Sequence, residues 1–316
     1  MRLRALGAIV ALGVACASCR SPAPAGPLPA YLLDPRTDLD GPFPRGVEEG
    51  WGFLLRGRPA DALRAFQAAP NSPAASVGSI EALLESGRID EARSACGQTL
   101  QGGLETAPLL GACGEAASRQ GSWSEAFDLF EAAVLRAPGA AGLSDLKRRA
   151  APNAVDELVR DGERALEDSE VAEAENAADR ALAIEPANRP ALRLSGASAV
   201  ARDDPGKAFA RYWAAWKLDR ADADSGERAG DLALKIERYD AAYEIFAELS
   251  RRDPRFLSRA EECQEEFVIS NWPSPDRQSA HAARLTRAQA AALLWRLLPE
   301  IRAVRVPPAR RWRSHI

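Results

Sequence analysis

Residues 189–254 read RPALRLSGASAVARDDPGKAFARYWAAWKLDRADADSGERAGDLALKIERYDAAYEIFAELSRRDP. Small and aromatic residues recur in this stretch at a spacing of 34. The recurring pairs are Gly196 and Gly230, Ala199 and Ala233, Ala208 and Ala242, and Tyr212 and Phe246. A period of this length is typical of stacked helical hairpins, because a single hairpin cannot bury its apolar face alone.

Each period predicts two amphipathic helices joined by a tight turn. In the first period the apolar positions fall into two groups at helical spacing, which are Leu192, Gly196 and Ala199, then Ala208, Tyr212 and Ala215. The small residues let the two backbones approach closely, and Tyr212 fills the space toward the next hairpin. Between the groups lies Asp203-Asp204-Pro205, where Asp accepts free backbone N–H groups and Pro begins the second helix.

The same pattern continues one period in each direction. Its members are Leu158, Gly162, Ala165, Ala174, Ala178, Ala181 and Pro186 in the preceding period, and Gly230, Ala233, Tyr239, Ala242, Phe246 and Pro254 in the following one. The pattern resembles the tetratricopeptide repeat. The resemblance implies an all-α fold, a tetratricopeptide-like helical-hairpin solenoid (right-handed superhelix) of about six repeats plus C-terminal helices. A helical bundle without a fixed period is the alternative.

Weaker matches extend the pattern back over residues 43–138. Gly57, Gly87 and Gly121 each precede a second helix, which predicts a left-handed residue at the end of each first helix. Ser122 and Glu125 have the spacing of a capping box and predict the start of the helix that follows Gly121.

Residues 139–154 interrupt the register, because Gly114 and Gly162 are separated by 48 residues instead of 34. This insertion is either an extra helix or a hinge. It divides N-terminal hairpins at 43–138 from C-terminal repeats at 155–254.

The N-terminal segment 1–19 has a short basic head and a short apolar run, which predict a secretory signal. Cys16 and Cys19 each follow small residues and resemble the acylated Cys of a bacterial lipobox, with Cys19 slightly favoured. Ordinary signal cleavage after Ala17 is the alternative. The Pro-rich stretch 20–42 predicts an extended linker. The lipobox resemblance implies a bacterial envelope protein, an outer-membrane lipoprotein facing the periplasm.

The C-terminal stretch 255–301 predicts capping helices. Within it, residues 286–298 resemble the closing helix of an S-layer homology domain, although Gln289 replaces the Glu of that signature. The resemblance implies binding of a cell-wall polymer, whereas a capped amphipathic helix explains the same residues equally well. Residues 302–316 predict a mobile basic tail.

The sequence offers little chemistry. Its two histidines, His281 and His315, have no Cys or carboxylate at metal-ligand spacing, so we expect no metal site, no cofactor and no enzymatic activity. A formal net charge of -4 argues against a nucleic-acid partner. Cys96, Cys113 and Cys263 lie on apolar faces and are interpreted as small core residues. In an exported protein, Cys96 and Cys113 would alternatively form a disulfide.

In tetratricopeptide proteins the first helix of each hairpin lines a concave groove that holds a partner. The resemblance therefore implies a partner groove of mixed, mainly acidic charge. Its charged residues are Asp156, Arg160, Glu163, Glu167, Arg193, Asp224, Glu227, Arg228, Asp231 and Lys235. These side chains alternatively belong to an ordinary solvated surface. The groove lacks the Lys and Asn arrangement that clamps a C-terminal carboxylate in chaperone-binding members.

Together these features predict a non-catalytic protein–protein interaction scaffold, exported and lipid-anchored in the bacterial envelope, with an unidentified protein partner. The alternative is an envelope anchoring module that binds cell-wall polymer through the C-terminal helix.

Overall fold

The computed structural model describes residues 44–69 and 72–270. Several predicted features lie outside the described residues. These are the lipobox cysteines Cys16 and Cys19, the linker at 20–42, the stretch at 286–298, His281, His315 and the tail at 302–316. The chain divides into two compact units, with the boundary between Glu157 and Leu158.

The first unit contains three helical hairpins and the beginning of a seventh helix. Its helices are α1 (Arg45–Leu55), α2 (Pro59–Gln67), α3 (Pro73–Glu85), α4 (Ile89–Gln101), α5 (Ala107–Gln120), α6 (Trp123–Arg136) and the start of α7 (Ala141–Glu167). The second unit takes up the remainder of α7 and continues with α8 (Val171–Ile184), α9 (Arg189–Ala201), α10 (Pro205–Leu218), α11 (Ala223–Lys235), α12 (Tyr239–Ser250), a 3₁₀ turn (Pro254–Phe256) and α13 (Leu257–Ser270). No strand occurs among the described residues. This confirms the predicted all-α class and the succession of helical hairpins.

In four of the hairpins, an aromatic ring of the second helix packs against a glycine of the first helix. The pairs are Gly50 with Phe66, Gly114 with Phe130, Gly196 with Tyr212, and Gly230 with Phe246. A Cβ atom added at any of these glycines would approach the ring to 2.8 Å or less, which is closer than side chains tolerate. The recurrence of Gly and an aromatic residue in the sequence therefore has a direct physical cause. The ring occupies the space that a side chain at the glycine position would fill.

Several of the turns within the hairpins have the conformations and caps that the sequence predicts. Gly57, Gly87 and Gly121 have φ values of 67°, 72° and 92°, which confirms the predicted left-handed residues. Asp204 accepts a hydrogen bond from the backbone N–H of Lys207 at 2.9 Å and caps α10 as expected.

The predicted capping box at Ser122 and Glu125 is wrong. Ser122 makes no side-chain hydrogen bond to α6, and Glu125 binds Arg93 of α4 at 2.6 Å instead. The carboxylate of Glu157 takes over the capping role, because it accepts a hydrogen bond from the backbone N–H of Ser124 at 2.8 Å. A contact 33 residues away in the sequence thus replaces the local one.

Residues 139–154 contribute to the 27-residue helix α7, which begins at Ala141 and continues through Pro152 to Glu167. The insertion and the first helix of the following repeat are therefore one continuous helix. Pro152 lacks the backbone N–H that would bond the carbonyl of Arg148, so that carbonyl loses its usual helical partner.

Candidate partner-binding surfaces

The predicted groove residues of α9 and α11 form ion pairs with one another. Arg193 of α9 lies 3.1 Å from the carboxylate of Asp224 on α11, and Arg228 lies 3.2 Å from the same carboxylate. Arg228 also lies over the ring of Tyr212, 5.6 Å from its centroid. Burial raises the pKa of Tyr212, so its phenol stays neutral and uncharged beneath this cluster.

A second cluster joins α11 to α13. The guanidinium of Arg259 on α13 binds Asp231 and lies 3.5 Å from Glu227. Arg255 lies 3.7 Å from the other oxygen of Glu227. The acidic residues predicted for α11 therefore already pair with arginines, which lie on α9, on α11 itself, in the 3₁₀ turn and on α13.

Sequence reasoning missed the arginines Arg189, Arg255 and Arg259. Arg189 binds Asp219, which lies 30 residues further along, and Arg259 binds Glu227 from 32 residues away. A basic and an acidic residue whose separation is slightly less than one period can form such an ion pair between neighbouring hairpins. This spacing is the signal in the sequence that could have identified these arginines.

Asp222 anchors the start of α11 beside this surface. Its side chain accepts hydrogen bonds from the backbone N–H of Ser225 at 3.1 Å and from the Ser225 hydroxyl at 2.8 Å. Burial opposes the ionisation of Asp222, but these two bonds and the nearby charge of Arg193 outweigh it and hold its pKa below the ordinary value. The carboxylate thus stays ionised at the positive end of the helix.

The remaining predicted residues lie exposed on α7 and α11. Asp156 belongs to the first unit, and Arg160, Glu163 and Glu167 belong to the second. Among the described residues, Glu163 and Glu167 form no ion pair. Lys235 binds Asp203, which lies in the turn between α9 and α10, at 2.9 Å.

The first unit contains a cleft that sequence reasoning did not identify. It has a volume of about 480 Å³ and lies between α5, α6 and the start of α7. Its lining residues are Glu115, Ser118, Arg119, Trp123, Phe130, Leu146, Arg149, Ala150 and Asn153. Four of these come from the insertion at 139–154, which has no counterpart in the repeat pattern. The signals in the sequence are the basic run Lys147-Arg148-Arg149 and an aromatic residue directly after a turn.

A disulfide joins Cys96 of α4 to Cys113 of α5, with their Cα atoms 5.6 Å apart. Both residues are also buried. The interpretation as small core residues and the alternative of a disulfide therefore both hold for Cys96 and Cys113. Cys263 is a buried free thiol, and burial raises its pKa to about 11.

In the part of the chain that the structure describes, no group of three or more His, Cys, Asp or Glu side chains is placed to hold a metal ion. Over the same residues, none of the helices combines the length and the apolar character that a membrane crossing requires.

A family model described as "Tetratricopeptide repeat" matches residues 53–102, from the end of α1 to the end of α4. No curated protein matches the chain.

Solved structures with a similar helix arrangement include the TPR domain of P58(IPK), with 16% identity over 79% of this chain and 72% of that one, at a TM-score of 0.39. The TPR2AB domain of yeast Sti1 in complex with pHSP90 is 16% identical over 71% of this chain and 96% of that one, at 0.31. YrrB, a TPR protein with an unusual peptide-binding site, is 15% identical over 64% and 96%, at 0.31. Residues 53–102 are thus similar to a tetratricopeptide repeat, and the described residues form an all-α succession of helical hairpins.

Proposed function

We propose that this protein is a non-catalytic scaffold that binds another protein along the first helices of its hairpins. The observation that carries the proposal is the set of exposed charged side chains on the first helices of the second unit. Arg193 of α9 and Arg228 of α11 both pair with Asp224 of α11, whereas Glu227 and Asp231 of α11 pair with Arg259 of α13. A surface of this kind presents a fixed pattern of charge to a partner.

The ion pairs contribute little to folding and are therefore free to serve recognition. Exposed pairs stabilise a protein by about 0–1 kcal/mol each. The side chains of Arg193 and Asp224 are 46% and 50% exposed, which places them in that class. A partner with complementary charges exchanges these contacts for its own at small cost, so specificity arises from the pattern of charges.

We further propose that the protein is exported and anchored in the bacterial envelope through an acylated Cys19 or Cys16, facing the periplasm. The disulfide between Cys96 and Cys113 supports export, because disulfides persist in oxidising compartments and are rare in the cytosol. Membrane fractionation of the Cys16→Ser/Cys19→Ser double variant tests the anchor. We expect release into the soluble periplasmic fraction, and a double variant that stays with membranes would contradict the lipid anchor.

The scaffold role is tested by cross-linking and co-purification from envelope extracts. We expect one protein to be recovered with the wild type and lost with an Arg193→Glu/Arg259→Glu variant, which reverses charge on two first helices. Lys217→Glu is the matched control, because it reverses a charge on α10, a second helix. Failure to recover any protein above background, or equal loss with both variants, would contradict the proposal.

A further inference from the structure

The cleft in the first unit differs from the charged surface of the second unit in having an apolar floor. Phe130 and Ala150 are buried beneath it, and Leu146 and Trp123 are partly buried at its sides. Its volume of about 480 Å³ lies within the range of roughly 300–1,000 Å³ that ligand pockets occupy. The cleft is open to solvent, so an extended peptide can lie in it.

The polar side chains of the cleft include hydrogen-bond donors that have no protein acceptor among the described residues. Arg149, Asn153 and Trp123 carry N–H groups and have no hydrogen-bond or ion-pair partner within residues 44–69 and 72–270. Donors that line an apolar cleft without partners favour a ligand that supplies acceptors.

The other two charged residues of the cleft are bound to each other. Arg119 donates to Glu115 at 3.0 Å and to the backbone carbonyl of Leu84 at 2.9 Å. The lining thus holds two guanidinium groups and one carboxylate, and the carboxylate is occupied by Arg119. Arg149 remains as the uncompensated charge, so the cleft favours an anionic acceptor.

We propose that this cleft binds a peptide segment of the partner protein in which a Glu or Asp lies next to an aliphatic side chain. The carboxylate binds Arg149, with Asn153 and the Trp123 indole as further donors, and the aliphatic side chain packs against the partly exposed Leu146. The inference rests on the proposed function, because it assigns a ligand class to the protein-binding role. A free inorganic anion would make no apolar contact with the partly exposed Leu146 and Trp123, and a purely apolar ligand would leave the donors without acceptors.

The test uses a displayed library of random heptapeptides selected on the purified protein. We expect wild-type selections to enrich Glu or Asp adjacent to Leu, Ile or Val. The Arg149→Glu variant should lose this enrichment, because it places a carboxylate against the ligand's own. Arg148→Ala is the matched control, since Arg148 is the exposed neighbour that pairs with Asp145 at 2.7 Å and does not line the cleft.

Fluorescence polarisation with one selected peptide, synthesised and labelled, measures the affinity of the cleft for the peptide. We expect its affinity to fall at least about tenfold for Arg149→Glu and to change less than about twofold for Arg148→Ala. Circular dichroism of both variants confirms that an exposed substitution leaves the fold intact. No enrichment of acidic residues, or equal binding by the wild type and Arg149→Glu, would overturn the proposal.

Failure of the cleft and failure of the scaffold role are distinguishable. If envelope capture persists in Arg149→Glu while peptide selection finds nothing, the cleft is not the site and the proposed function stands. If neither envelope capture nor peptide selection yields a ligand for the wild type, both proposals fail.

Discussion

The hairpins α9–α10 and α3–α4 fill the same two core positions with different chemistry. In α9–α10 the ring of Tyr212 packs onto Gly196, whereas in α3–α4 the equivalent positions hold Ile80 and Cys96. Helix α4 has only Ala92 and Cys96 fully buried among its 13 residues. The bond to Cys113 on α5 thus stands where four other hairpins use a large aromatic ring. The buried Ile80 and the covalent bond of Cys96 together take the place of the glycine and the ring.

The largest expected effect concerns this bond. The disulfide closes a loop with a sequence separation of 17, for which chain entropy predicts about 3 kcal/mol of stabilisation. We expect the Cys96→Ala/Cys113→Ala variant to unfold at lower denaturant concentration, and mild reductant to lower the stability of the wild type similarly. The variant itself should not respond to reductant. Equal stability of oxidised and reduced wild type would contradict the comparison between the hairpins.

In the hairpins where a ring packs against a glycine, adding a single methyl group at that glycine should lower the stability of the protein. A Cβ at Gly230 would lie 2.5 Å from the ring of Phe246, so Gly230→Ala should lower stability by about 1–3 kcal/mol through overpacking. Gly97 of α4 is the matched control, since a Cβ there meets nothing within 4 Å. Gly97→Ala should instead raise stability by up to about 1 kcal/mol through helix propensity. Chemical denaturation of the two variants measures both, and effects of the same sign would exclude this packing model.

The two units also differ in the turns within their hairpins. The first unit places Gly57, Gly87 and Gly121 at positive φ. The second unit places Ser169, Asp203 and Glu237 at the equivalent positions, with φ of 65°, 54° and 60°. Residues other than Gly pay a steric cost in this conformation, so the second unit tolerates a local strain that the first avoids.

Glu237→Gly should therefore raise stability by about 1 kcal/mol, because it relieves the left-handed conformation. The reciprocal change is Gly121→Ala, where a Cβ meets no atom within 4 Å, so its effect reports the backbone conformation alone. We expect it to lower stability by a similar amount. Thermal unfolding of both variants is the measurement, and a destabilised Glu237→Gly would show that its side chain makes a contribution larger than the strain.

The sequence predicted the hairpins well because their cause is periodic. Gly196 and Tyr212 recur one period later as Gly230 and Phe246, and the same contact holds each pair. Interactions between neighbouring hairpins were harder to predict. The backbone N–H of Ser124 donates to the Glu157 carboxylate, and Arg259 pairs with Asp231, yet no local pattern links either pair of residues.

The cleft was missed for a related reason. Arg149 and Asn153 belong to the insertion, where the repeat offers no register to place them. Only the continuous helix α7 brings their side chains beside Trp123. The family model, which matches residues 53–102, ends before this region.

The smallest expected effect distinguishes the caps of α9 and α11. Asn188 caps α9 as a neutral residue, whereas Asp222 caps α11 as a carboxylate whose pKa lies below its ordinary value.

A depressed pKa means that the folded protein binds the proton less tightly than the unfolded chain does. The stabilisation by Asp222 is therefore present above the ordinary Asp pKa. It is lost as the pH falls through the lower pKa of the folded state. Asn can still accept from the backbone N–H of Ser225, and its amide can donate to the Ser225 hydroxyl, so Asp222→Asn removes mainly the charge and should cost about 0.3–1 kcal/mol at pH 7. We expect the difference in melting temperature between wild type and Asp222→Asn to shrink as the pH falls below the ordinary pKa of Asp. A difference that stays constant down to the acid limit of folding would mean that Asp222 stabilises α11 by its shape and hydrogen bonds rather than by its charge.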